Sequence, residues 1–193
     1  MLIKPTLFVI SAPSGAGKST LIRHIKPYFP DMLYSISCAT RPPRKGEIDS
    51  VSYYFISESK FKSMSRAGEF LEWKNVHGNM YGTRAKPVLE ALKSGQRMIM
   101  DIDVEGAKEV FCKVPQAVGI FINAPSLSIL EKRLRDRKAD SVDSIRIRML
   151  NAHHEISMAH MFKYNMVNDQ LKTAIKELVE IIRKESETES GQD

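Results

Sequence analysis

The residues best equipped for chemistry stand together in Ser11-Ala-Pro-Ser14-Gly15-Ala16-Gly17-Lys18-Ser19-Thr20. A lysine and two hydroxyls follow a run of small residues, the composition of a loop whose backbone N–H groups can close around a polyphosphate. In such a loop the Lys18 ammonium reaches the β- and γ-phosphates and the Ser19 hydroxyl takes one position on Mg²⁺. The strict pattern is G-x-x-x-x-G-K-S/T, and Ala12 occupies the place of its first glycine. Alanine disfavours positive φ, so the chain is expected to turn there with ordinary backbone angles. Ser14, Gly15, Ala16, Gly17, Lys18, Ser19 and Thr20 are the expected phosphate-binding residues.

Two further groups have chemical potential. Met98-Ile-Met-Asp101-Ile-Asp103 is an apolar run ending in two carboxylates, which are either solvated strand-end residues or part of a Mg²⁺ water shell. Arg41-Pro-Pro-Arg44-Lys-Gly-Glu47 places two guanidinium forks on a loop stiffened by proline. Such forks bind phosphate bidentately at little entropic cost. With the hydroxyls of Tyr53 and Tyr81 this segment reads as a monophosphate pocket; taken alone, it reads equally well as an exposed basic loop. His153, His154 and His160 beside Glu155 imitate a metal cluster. Their spacing lacks the i, i+4 pair of a zinc-binding helix, so a solvated helix face is expected.

Elements must position these groups. Apolar runs at 6–11, 33–37, 97–102, 118–123 and 164–167 read as core strands, with helical periodicity at 18–26, 84–94, 104–112, 127–137, 142–160 and 170–184. That alternation predicts an α/β fold with a five-stranded parallel sheet flanked by helices. Residues 34–83 break the rhythm with short strand-like runs, a short helix and a turn at His77-Gly78-Asn79. They read as a mostly antiparallel insertion suited to a second substrate. A second, basic insertion at 133–148 is placed to close over bound phosphates, and 185–193 reads as a frayed tail.

The chain has 193 residues, enough for one domain with a substantial core. Its net charge of +6 suits polyphosphate handling, and its basic clusters carry no interleaved aromatics of the kind that stack bases. Nucleic acid is therefore not an expected partner. No stretch approaches the roughly 20 apolar residues of a membrane span, and no signal peptide is apparent, so the cytoplasm is the expected compartment. Cys38 and Cys112 are isolated and are expected to be free thiols.

Several segments then stand in a telling order: Ser11–Thr20, Thr40-Arg-Pro-Pro-Arg-Lys-Gly-Glu47, Phe70-Leu-Glu-Trp73, Gly78-Asn-Met-Tyr-Gly-Thr83 and Asp101-Ile-Asp-Val-Glu-Gly106. Arg133-Leu-Arg-Asp-Arg137, Asp140-Ser141 and Val167-Asn-Asp169 follow. Over nearly its whole length the chain resembles the guanylate kinases. The resemblance implies ATP-dependent phosphorylation of GMP and dGMP with Mg²⁺ on a nucleoside-monophosphate-kinase fold. It implies a core of about 1–33, 84–132 and 149–193, a GMP-binding region of about 34–83 and a small helical lid of about 133–148.

Roles carried over from the family put Arg41, Arg44, Tyr53 and Tyr81 on the GMP phosphate, and Ser37, Glu72 and Thr83 on guanine. Asp101 and Asp103 go to the GMP side and the Mg²⁺ water shell. Arg133, Arg137 and Arg148 go to the ATP phosphates, with Lys18, Arg137 and Arg148 catalytic, and Asn168 lies near adenine. The chemistry of guanine agrees with this, because one carboxylate accepts both its N1–H and N2–H₂ donors, whereas AMP would leave that carboxylate unpaired. A sugar-phosphate kinase would have no use for Ser37, Glu72 and Thr83, and a non-catalytic scaffold module would not need an intact Lys18 and Ser19. A guanine-nucleotide switch would need an Asn-Lys-x-Asp motif, which is absent. Departures from the family pattern are Glu105, where glutamine is frequent, and Lys138, where a glycine often follows the lid arginine.

Overall fold

A computed structural model describes residues 4–76, 78–136 and 141–187. The central sheet holds β1 (Leu7–Ser11), β2 (Leu33–Tyr34), β7 (Met98–Asp101), β8 (Val118–Asn123) and β9 (Tyr164–Val167) in the order β2-β7-β1-β8-β9. Every pairing in it is parallel. All five side chains of β1 are buried, which requires apolar cover on both faces. Alternation supplies it: Phe8 and Ile10 join Leu21, Ile25, Leu130 and Leu178 on one side, and Leu7 and Val9 join Val88, Met100, Val110 and Phe162 on the other. Each such large apolar side chain contributes about 1.5–3 kcal/mol through its removal from water.

The covering helices are α1 (Lys18–Ile25), α3 (Ala85–Lys93), α4 (Val104–Lys113), α5 (Leu127–Asp136), α6 (Val142–Ser157) and α7 (Leu171–Ser186). The second sheet, β4-β3-β6-β5, is built from β3 (Cys38–Ala39), β4 (Tyr54–Phe55), β5 (Phe70–Val76) and β6 (Asn79–Arg84). Its β3–β6 and β5–β6 pairs are antiparallel and its β3–β4 pair is parallel, so the insertion is mostly antiparallel. A small core of Cys38, Phe61, Met64, Phe70 and Met80 fixes α2 (Glu58–Arg66) beneath it. Lys113 of α4 ties the two parts together, donating to the carbonyls of Phe70 at 3.1 Å and Leu71 at 2.6 Å.

Two expectations from the sequence are corrected. The apolar run 33–37 is not one strand: β2 ends at Tyr34 and β3 begins at Cys38. Ser35 still donates to Ile99 O of the central sheet, whereas Ser37 O accepts from Tyr54 of the second, so the run is divided between two sheets. The helix read over 142–160 stops at Ser157 and tightens into a 3₁₀ turn at Ala159–Met161. Of the basic stretch 133–148, residues 133–136 finish α5 and 142–148 open α6; 137–140 lie outside the described residues. Among the described residues no helix is long and apolar enough to cross a membrane, and both cysteines are free.

Candidate functional site

The loop after β1 meets α1 in a way that favours an anion. Gly15 and Gly17 adopt φ of 97° and 96°, in the left-handed region that glycine enters without strain. Ala12 is buried, and the only non-glycine residue with positive φ among those described is Ser50, so the loop turns at Ala12 with ordinary angles. Helix α1 has neither a side-chain cap nor an acidic residue in its first turn. Its first N–H groups and positive dipole end are therefore left for a ligand. The cleft above is lined by Ser14, Lys18, Ser19, Thr20, Asp103 and Glu155.

Every charged group facing this cleft has a partner. Lys18 Nζ lies 2.5 Å from Asp101 Oδ1 and 3.3 Å from Ile102 O. Tyr34 donates to the other Asp101 oxygen at 3.1 Å, and burial pushes the Tyr34 pKa up. Ser14 is gripped twice by α6. Arg148 Nη1 donates to its Oγ at 2.7 Å, and its backbone N–H donates to the Glu155 carboxylate. Residues 148 and 155 lie two turns apart on one helix face. Burial nonetheless pushes the Glu155 carboxyl above its ordinary range, against the opposing pull of Lys18 and Lys74.

Asn168, expected near adenine, is buried against the loop, with its amide donating to Ala16 O at 2.7 Å. Arg133 Nη2 donates to Asn168 O at 2.9 Å, and Asn168 N to Asn123 O at 2.8 Å. Asn168 is thus a strut between β9 and the phosphate loop. A Cβ at Gly17 would collide with that amide. Gly17→Ala, strained in φ and in contact, is expected to lower nucleotide affinity at least tenfold and to cost about 1–3 kcal/mol of stability. Nucleotide titration and thermal unfolding check both, and an unchanged affinity would refute the assignment.

A second cluster forms on the insertion. Arg41, 9 % exposed, directs Nε at Tyr81 OH (3.1 Å) and lies over the Tyr53 ring at 5.1 Å. Its Nη1 and Nη2 bind Glu47 bidentately at 2.6 and 2.7 Å, and Arg44 N donates to the same carboxylate at 2.7 Å. Those hydrogen bonds pull the Glu47 carboxyl down to about 2, and the Glu47 bonds in turn push the Arg41 pKa up. The Arg44 side chain is exposed.

Deeper on the same sheet, Thr83 donates to Glu72 Oε1 at 2.7 Å and its hydroxyl lies 3.0 Å from Ser37 Oγ. Glu72 and Thr83 are cross-strand partners, and Tyr81 is two residues along β6 and hence on the same face as Thr83. Glu72 is only 5 % exposed, and burial raises its pKa. A buried carboxylate that accepts from the neutral hydroxyl of Thr83 has acceptor capacity to spare, and that capacity suits a ligand with adjacent N–H donors.

The expected residues thus gather in two groups, with Asp101 at the end of β7 and Asp103 at the start of α4 between them. Arg137 lies outside the described residues. Glu47, Glu155 and Lys74 were not singled out from the sequence, although each engages these groups. Glu47 sits three residues after Arg44, and Glu155 seven after Arg148; both spacings were visible. The three histidines form no metal set, since no group of three His, Cys, Asp or Glu among the described residues could hold an ion. His154 is exposed and pairs with Glu105 at 2.8 Å.

Comparison with known proteins decides the family. Residues 4–185 match the family model described as guanylate kinase. The chain belongs to the guanylate kinase family. It is 47% identical over 182 residues to the guanylate kinase of Carboxydothermus hydrogenoformans, covering 94% of this chain and 89% of that one. It is 42% identical over 193 residues to that of Shewanella violacea, covering all of this chain and 93% of the relative. The crystal structure of guanylate kinase from Anaplasma phagocytophilum superposes with a TM-score of 0.75 at 27% identity, covering 98% of this chain and 91% of that one. Guanylate kinases are thereby matched in sequence and in fold.

Proposed function

We propose that this chain transfers the γ-phosphoryl group of ATP to the phosphate of GMP or dGMP, yielding ADP and GDP or dGDP in the cytoplasm. One observation carries the reading: a buried carboxylate, Glu72, backed by Thr83 and Ser37, packs against the α4 cap at Gly106, and the capping Asp103 also lines the cleft of an uncapped helix N-terminus bearing Lys18. The amide cradle of residues 14–20 takes the ATP phosphates. Arg41, Arg44, Tyr53 and Tyr81 take the GMP phosphate, and Glu72 with Ser37 and Thr83 takes guanine. Asp101 and Asp103 line the GMP side. Residues 34–83 form the GMP-binding region, about 133–148 the lid, and the remainder the core.

Mg²⁺ fits the donor set. The Ser19 hydroxyl is exposed at the rim of the cleft, and Asp101 offers a hard oxygen that can act through water. Mg²⁺ commonly takes one or two protein ligands and completes its shell with phosphates and water, so it needs no three-acid cluster. When bound it supplies positive charge to the β- and γ-phosphates.

The GMP phosphate is already an anion and needs no general base. Its oxygen attacks Pγ in line; the bond from Pγ to the β,γ-bridging oxygen breaks, and ADP leaves with the electron pair. Lys18 exchanges Asp101 for phosphate oxygen, and Arg148 exchanges the Ser14 hydroxyl. Arg133 and Arg137 add charge from the lid side. These groups stabilise charge spread over the transferring phosphoryl in a site that closure frees of water. The positive charge of the chain is directed at polyphosphates, and the reading requires neither nucleic acid nor membrane.

A coupled assay over the nucleoside monophosphates tests it. GMP and dGMP are expected to turn over, with AMP, CMP and UMP slower in kcat/KM by roughly 10⁴. Comparable turnover of AMP would remove Glu72 as the base reader.

A further inference from the structure

β5 carries two charged side chains at positions 72 and 74, and residues two apart on a strand point to the same face. The first is the buried Glu72. The second, Lys74, is 43% exposed and forms an ion pair with Asp103 Oδ2. Asp103 is itself fixed, because its other oxygen accepts from Gly106 N at 2.9 Å and caps α4. Gly106 brings this cap against Glu72: a Cβ there would stand 3.1 Å from Glu72 Oε2 and 3.4 Å from Asp103 Oδ1. Two carboxylates thus crowd one helix N-terminus with one ammonium beside them, and Asp103 also lines the phosphate cleft.

The geometry points to Lys74 as a positioning residue for GMP: its ammonium, anchored by Asp103, offsets the charge of Glu72 and keeps that carboxylate ionised for the guanine donors. The inference rests on the reading of Glu72 as the guanine acceptor. The surroundings of Glu72 support it. Thr83 from β6 supplies a hydroxyl. From α4, Asp103 and Glu109 supply negative charge, while the Lys113 ammonium is committed to the carbonyls of Phe70 and Leu71. Lys74 and the Thr83 hydrogen bond pull the Glu72 carboxyl down, against burial and Glu109, which push it up. Lys74 is depressed by burial and by Lys18, and is supported by Glu72 and by Glu155 across the cleft. A cation placed there lets a desolvated carboxylate stay charged, which burial alone opposes.

A double-mutant cycle tests this in the full chain, reading KM for GMP and for ATP and the pH dependence of kcat/KM. Lys74→Met, which keeps the aliphatic stem, is expected to raise KM for GMP about tenfold, leaving KM for ATP within about twofold. The acid limb of the GMP profile is expected to move to higher pH. Lys74→Arg should restore both, and Lys74→Gln provides a second neutral variant. In a Glu72→Gln background the Lys74→Met effect should vanish, since no carboxylate remains to be held ionised. An unmoved acid limb, or equal losses for ATP and GMP, would overturn the role of Lys74 while leaving Glu72 intact. If Glu72→Gln alone leaves GMP use untouched, the guanine reading itself fails.

Discussion

Lys18→Ala is expected to lower kcat by roughly 10³-fold while the fold survives, the upper range for loss of a charge-stabilising donor in a water-excluded site. Lys18 is the ammonium at the start of α1, already inside the phosphate cleft. Its Asp101 contact at 2.5 Å holds it in place, and phosphate oxygens are the better partner once bound. Truncation leaves Asp101 with the Tyr34 hydrogen bond and, at 21 % exposed, with access to water. Structural damage is accordingly limited to about 1 kcal/mol. Rapid-quench turnover alongside thermal unfolding separates the two effects. A variant that keeps its turnover would refute the placement of Lys18 on the transferring phosphate.

Glu72→Gln is expected to lower kcat/KM for GMP by on the order of 10²–10³, with little change in KM for ATP. The substitution is isosteric, and its amide oxygen can still accept from Thr83. It replaces an acceptor by a donor where guanine presents only donors, so the wild-type hydrogen bonds are lost and a repulsive contact is added.

The wild type should also show a pH dependence that the variant lacks. Burial raises the Glu72 carboxyl in the folded chain. Without ligand, its contribution to stability is therefore fully present below the unfolded carboxylate pKa and is lost as pH rises through the folded value. Guanine reverses the preference by binding the ionised form, so GMP affinity should strengthen as pH rises through that same window. The GMP phosphate titrates nearby, so the quantity to read is wild type minus Glu72→Gln. A flat difference would be incompatible with an ionising base reader.

Much of this architecture was legible in the order of residues. The strand–loop–helix unit reads directly because Leu7–Ser11 is apolar throughout and Lys18 opens an amphipathic helix. The split of residues 33–37 was not legible, because an apolar run records burial and not which of two sheets buries it. Among site residues, the arginines, Lys18 and Glu72 stood out through their motifs. Glu155 was hidden by the two histidines before it, which suggested a metal and drew notice from its spacing to Arg148. The expectation for Asn168 concerned a base, whereas its bond to Ala16 O, which ties β9 to the phosphate loop, is a packing contact that sequence order does not record. Lys74 reads as an ordinary exposed lysine until the β5–α4 packing brings it to Asp103.

The bidentate hold of Glu47 on Arg41 has a consequence for how a monophosphate is captured. With Nε on Tyr81, Nη1 on Pro42 O and both Nη atoms on Glu47, this guanidinium arrives at the encounter already motionless, with few N–H groups left to offer. In the proposed reading it is a fixed stop, its charge largely offset by Glu47, that surrenders little rotational freedom when a monophosphate binds. In that reading the grasping falls to Arg44, whose side chain is exposed and whose backbone is pinned by the same carboxylate. Under the proposed reading, one acidic residue thereby divides the labour between a braced arginine that marks where the anion stops and an exposed one that closes on it.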